Sequence, residues 1–109
     1  MNGWLLLLGA IVAEVIATSA LKQVEGLSRP LPLALTVIAY VVAFWLMSLS
    51  LRSIPIGIAY AVWSGVGIVA ISTIGLIAYG QRLDAAALAG IALILSGVAV
   101  IQLFSRSTV

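Results

Sequence analysis

The chain has 109 residues, of which 64% are hydrophobic and 7% charged, with a net charge of +2 and a mean hydropathy of +1.33. Soluble domains carry about 25% charged residues, so this set cannot cover a water-exposed surface, and the chain reads as one integral membrane domain, residues 1–109. With no Cys, no His and three carboxylates, thiol redox chemistry, metal sites and any nucleophile–base pair for an enzyme are excluded, and five scattered basic residues make no nucleic-acid patch.

The first apolar run covers roughly residues 4–21, about the length a bilayer core asks of a helix. Its single charge is Glu14. A charge within a membrane span is costly and marks a functional site by default. The run lacks a basic stretch before it, and three more apolar runs follow, so it reads as a retained span rather than a cleaved leader. At helical spacing Gly3, Leu7, Ala10, Ile11, Glu14, Thr18 and Leu21 share one stripe, with Ala17 at its edge. Small residues on either side of the carboxylate leave room for a ligand or a second helix. Thr18 and Ser64 are its candidate hydrogen-bond partners.

Lys22 to Pro32 form a polar connection. The second run is roughly 31–51, with Pro30 or Pro32 suited to a first helical turn. It aligns Tyr40, Ala43, Phe44 and Met47; Phe44 and Trp45 read as packing and lipid contacts. Arg52-Ser53-Ile54-Pro55 ends it. The third run, roughly 56–79, aligns Tyr60, Trp63, Ser64 and Gly67. Gly65-Val66-Gly67 lies at its middle. Each glycine costs about 1 kcal/mol of helix preference relative to Ala, so the pair marks a flex point or a close helix contact. Gly80-Gln81-Arg82-Leu83-Asp84 makes a turn, with Asp84 as N-cap of a fourth run, roughly 85–104. There Gly90 and Gly97 share a face, which suits a dimer contact.

Four spans with short connections place both termini on one side. That side carries Arg52 and Arg106; the other carries Lys22, Arg29 and Arg82. The bias is too small to fix an orientation, so the chain is expected to insert both ways up and to pair with an opposite copy. Glu14 has no intramembrane Lys or Arg to neutralise it. A carboxylate beside the ring faces of Tyr40, Tyr60 and Trp63 suits an organic cation, each ring adding about 0.5–2 kcal/mol.

Several stretches carry a resemblance. Ala13-Glu14-Val15-Ile16, the segment from Pro55 to Gly67, Gly80-Gln81-Arg82-Leu83-Asp84 and Leu103-Phe104-Ser105-Arg106-Ser107 resemble the small multidrug resistance transporters, in particular their quaternary-cation exporters, over essentially the whole length. The resemblance implies an all-α membrane protein with four transmembrane helices per chain, paired as an antiparallel homodimer in a bacterial inner membrane. It implies export of lipophilic, aromatic and quaternary ammonium cations in exchange for protons, by alternating access and with no cofactor. Glu14 of both copies would then hold protons or substrate in competition. Tyr60, Trp63, Tyr40, Thr18, Ala10 and Ser64 would form the surroundings, Gly65 and Gly67 a hinge, and Gly90 and Gly97 the dimer contact. Two departures bear on substrate range. Guanidinium exporters of the family tend to carry Trp where this chain has Ala17, and a small residue there is expected to leave a roomier site. The family often has Ser where this chain has Ala43, so a hydroxyl beside the expected site is lost. The alternatives are a guanidinium or polyamine exporter of the same family, one half of an obligate heterodimer, and a non-transporting structural subunit.

Overall fold

The computed structural model describes residues 2–108. They form four helices: α1 (Gly3–Leu21), α2 (Pro30–Ser50), α3 (Ile56–Tyr79) and α4 (Ala85–Phe104). All four are long and apolar enough to cross a bilayer, and every Lys and Arg lies outside them. The apolar runs therefore set the helices to within one residue, and the caps set the ends. Asn2 Oδ1 accepts from the Trp4 amide at 2.8 Å, which starts α1 one residue before its run. Pro30 opens α2 one residue before its run, and α2 ends at Ser50, one residue before the run does. Asp84 Oδ1 accepts from the Ala87 amide at 2.8 Å, as its N-cap role requires. Gly80 ends α3 at φ 65°, a left-handed turn open to glycine.

The helices make a layer in the order α2, α1, α3, α4. Central α1 packs closely along α2 and less extensively on α3, and α4 is held by α3. Alanine explains the close α1–α2 seam. Ala10, Ala17, Ala39 and Ala43 are 0–8% exposed, and small side chains let membrane helices approach closely. On α2 the buried positions are Thr36, Ala39, Ala43, Met47 and Ser50, one stripe at spacings of three and four. Ala17 and Ala43 were expected to shape the substrate site. Both instead lie wholly buried in helix packing, where a hydroxyl at 43 or an indole at 17 would meet neighbouring atoms rather than a ligand.

Gly65 serves the α3–α4 contact. A Cβ built there would lie 2.5 Å from Val98 Cγ2, so the missing side chain is what lets α4 approach. No α4 residue is buried, and Gly90 and Gly97 have nothing within 4 Å of where a Cβ would stand. The chain measures 45 × 35 × 17 Å. Its short dimension is less than two helix diameters of about 10–12 Å, so each chain is a slab rather than a closed bundle.

Tyr79 ties the far end of α3 to α1. Its hydroxyl donates to the Ser19 carbonyl at 2.8 Å and accepts from Gln23 Nε2 at 3.2 Å. The Gln23 amide donates instead to Ala20 O, so the Ser19 carbonyl is one of the orphan acceptors at a helix C-terminus. The Lys22 ammonium sits 5.6 Å from the Tyr79 ring centre. Tyr79→Phe keeps the ring and removes the hydroxyl. It should lower stability by about 1–2 kcal/mol, read as an earlier thermal transition in detergent with cation affinity unchanged. An unaltered transition would show that water or lipid replaces the bond at no cost.

Candidate functional site

Glu14 stands two-thirds of the way along α1, on the side turned toward α3. Its Oε1 accepts from Thr18 Oγ1 at 2.7 Å, the neighbour one turn on that helical spacing dictates. Thr18 Oγ1 also lies 2.7 Å from the Tyr40 hydroxyl. With the single Thr18 proton given to an ionised Glu14, Tyr40 must be the donor to Thr18. The three side chains then form one directed chain from α2, through α1, to the carboxylate.

Glu14 and Thr18 lie in the wall of an open cleft of about 390 Å³ whose other wall is α3: Tyr60, Trp63, Ser64, Gly67, Ile68, Ile71 and Ser72. A Cβ at Gly67 would lie 3.7 Å from Glu14 Oε2 and 3.9 Å from Trp63 Cδ1. Alanine would fit there, but a longer side chain would occupy the space in front of the carboxylate. Gly67 thus keeps the cleft open, and α3 runs unbroken through both glycines.

The aromatic rings are joined. Tyr60 and Trp63 meet edge to face at 5.6 Å, Trp63 and Phe44 at 6.0 Å, and Phe44 stacks on Tyr40 at 6.1 Å. Phe44 therefore packs, as its stripe suggested, and does so between two rings. It links the ring that orients Thr18 to the indole that walls the cleft. Trp45 is 61% exposed, as a lipid contact would be.

The expected residues therefore separate into groups. Glu14, Thr18, Tyr60, Trp63 and Ser64 share the cleft, and Tyr40 reaches it through Thr18. Ala10 is 0% exposed in the packing core, because one turn before Glu14 the stripe passes under neighbouring helices. Ile68, Ile71 and Ser72 extend the cleft beyond the stripe recognised from sequence. Their signal was present, since they continue the Tyr60–Trp63–Ser64–Gly67 face by steps of three and four.

The cleft joins an anion that has no cationic partner within the membrane spans to polarisable ring faces and an apolar far wall. Such a set can hold a proton, or a cation with apolar or aromatic substituents. It is open along one side, and Tyr60 is 61% exposed. A site left open toward hydrocarbon would leave the carboxylate badly solvated.

Comparison with known proteins places the chain in a family. A family model described as Small Multidrug Resistance protein matches residues 2–94. The chain is 56% identical over 108 residues to the multidrug transporter PA4990 of Pseudomonas aeruginosa, covering 99% of this chain and 98% of that one. It is 53% identical, over the same shares, to the quaternary ammonium compound-resistance protein QacE of Escherichia coli. Against the multidrug transporter EmrE of Escherichia coli K12 it is 52% identical, again over 99% and 98% of the two chains.

Proposed function

The chain belongs to the small multidrug resistance family, and from that premise we propose that it exports lipophilic and quaternary ammonium cations in exchange for protons, with Glu14 as the shared binding group. As a member of a family of transporters it is a multi-pass protein of the bacterial inner membrane and not an enzyme. The observation that carries the proposal is the geometry of Glu14. A single intramembrane carboxylate, hydrogen-bonded on one oxygen, faces an aromatic-walled cleft without a protein cation to neutralise it.

The steps follow from electrostatics. An ionised Glu14 attracts a cation, and the Tyr60 and Trp63 faces add cation–π attraction. A proton on Glu14 removes the charge and with it most of that attraction. Proton and substrate therefore exclude one another, which couples their fluxes. The Tyr40–Thr18 chain supports both states. It donates to the carboxylate when ionised, and Thr18 can turn to accept once Glu14 carries a proton. The cleft volume lies within the range of about 300–1,000 Å³ common to small-molecule sites and is larger than guanidinium needs.

An antiparallel homodimer completes the site. The slab leaves Glu14 open on one side, and a second copy laid against that side would bring in a second carboxylate and a second aromatic wall. The bare Gly90–Gly97 face of α4 is the part of the slab best suited to a close contact with that copy. Two copies of opposite orientation can exchange shapes, so an inward-open pair becomes an equivalent outward-open pair. Gly65 and Gly67 are the hinge of that exchange in this reading.

The test is proton release from purified protein in weak buffer on adding tetraphenylphosphonium. Release that saturates with the cation is the expected result. A folded dimer that binds the cation without releasing protons would overturn proton coupling. Release by guanidinium and not by tetraphenylphosphonium would reassign the substrate to small hydrophilic cations.

A further inference from the structure

A second recess, of about 550 Å³, lies on the other flank of α1 and is independent of the Glu14 cleft. Its wall comes from Val15, Ile16, Ser19, Ala20 and Gln23 of α1 and the turn after it, Arg29, Leu31, Pro32 and Leu35 at the start of α2, and Ile74 of α3. None of its residues lines the Glu14 cleft.

The recess is polar at one end and apolar along the rest. Arg29 stands at the first residue before α2, at the membrane boundary, and is exposed. From Arg29 to Leu35 the helix advances about 9 Å, from the headgroup level into the upper hydrocarbon. Ile16, Leu31 and Leu35 are exposed, so the recess opens sideways into the bilayer rather than into water.

Two features give the polar end a sign. Arg29 brings a guanidinium, whose fork of donors matches a phosphate. The α2 N-terminus beside it has no side-chain cap; Pro30 and Pro32 carry no N–H and the Leu33 amide bonds to Arg29 O, so the Leu31 amide and the helix's partial positive charge are what it offers an anion. Ser19 also lines the recess; its hydroxyl is covered and has no hydrogen-bond partner among the described residues, so a turn of the side chain toward the recess would give it a ligand atom to bond. A cationic drug would be repelled at this end, and in a zwitterionic lipid the choline or ammonium would oppose what the phosphate gains on the guanidinium.

We propose that this recess binds one anionic phospholipid, its phosphate on Arg29 and the α2 N-terminus and one acyl chain along Val15, Ile16 and Leu35. Basic recesses between transmembrane helices commonly take anionic headgroups. The occupant here is bound along two helices and not merely adjacent to them. It would fill the gap between the end of α1 and the start of α2 at the level where Tyr79 fastens α3.

Native mass spectrometry of the purified protein in detergent, with phosphatidylglycerol or phosphatidylcholine added, tests this. The wild type should retain phosphatidylglycerol at least tenfold more tightly than phosphatidylcholine. Arg29→Gln should abolish that preference, while Arg106→Gln, at an exposed residue of the opposite membrane face, should keep it. Leu35→Trp, at an exposed position, should weaken phosphatidylglycerol binding by filling the apolar part. Tetraphenylphosphonium binding serves as the check that each variant is folded. Equal retention of the two lipids, or a preference that survives Arg29→Gln, would overturn the site. Competition by glycerol phosphate as strong as by the whole lipid would show a soluble-anion site and overturn the lipid assignment.

Discussion

Glu14→Gln should weaken tetraphenylphosphonium binding by two to three orders of magnitude and return cells to the drug sensitivity of an empty vector. The exchange is nearly isosteric. The amide oxygen can still accept from Thr18, so the Tyr40–Thr18–residue 14 chain and the helix packing are retained. What is lost is the charge. Two opposite charges about 4 Å apart attract by about 4 kcal/mol at an effective dielectric constant of 20, and each 1.4 kcal/mol is a factor of ten. The open side of the cleft screens part of that, which sets the lower end of the range. Ring contacts of about 0.5–2 kcal/mol remain and account for the residual affinity. Isothermal titration in detergent measures the first effect and growth on ethidium the second. Near-normal binding by the Gln variant would mean that the rings alone select the cation, and Glu14 would lose its place in the mechanism.

The second large effect is expected at Gly65. In Gly65→Ala the new Cβ would stand 2.5 Å from Val98 Cγ2, closer than carbon atoms approach. Val98 cannot easily yield, because β-branched side chains in helices hold one strongly preferred rotamer. The helices must part or shift, at a cost of about 1–3 kcal/mol for overpacking. Alanine recovers up to about 1 kcal/mol of helix preference, so the result decides between the two effects. The α3–α4 contact is sparse, and the net outcome should be displacement of α4 and loss, by size-exclusion chromatography, of the dimer proposed above. Val98→Ala in the same chain removes the clashing methyl and should restore the dimer. A Gly65→Ala protein as dimeric as wild type would show that α4 relaxes freely and that Gly65 is needed for flexing alone.

The spans were legible because hydropathy and the placement of every Lys and Arg outside them point the same way. Asp84 and Pro30 marked helix starts through side-chain chemistry that acts within one turn. Thr18 was legible as a partner of Glu14 because the two are four residues apart on one helix. Tyr40 and Phe44 were a different matter. Their stripe on α2 was visible, but periodicity gives a face and not the neighbour that covers it. Only the close α1–α2 seam brings the Tyr40 hydroxyl to Thr18 and Phe44 to Trp63. The same gap explains Ala10, Ala17 and Ala43. Small residues near a carboxylate read as room for a ligand or for a second helix, and periodicity does not choose between them; here they are room for a helix. Gly65 and Gly67, two residues apart in sequence, have separate surroundings, one under α4 and the other before the carboxylate.

The slab form has a consequence for gene dosage. On the pairing proposed above, one chain of 17 Å thickness supplies half of a binding site and can transport nothing alone. Where pairs and single chains are in balance, the number of working sites rises more steeply than the number of chains synthesised. A weak promoter would then give less resistance than its transcript level suggests, and a modest rise in expression would give more. Selection for resistance would act on copy number as readily as on the residues of the cleft.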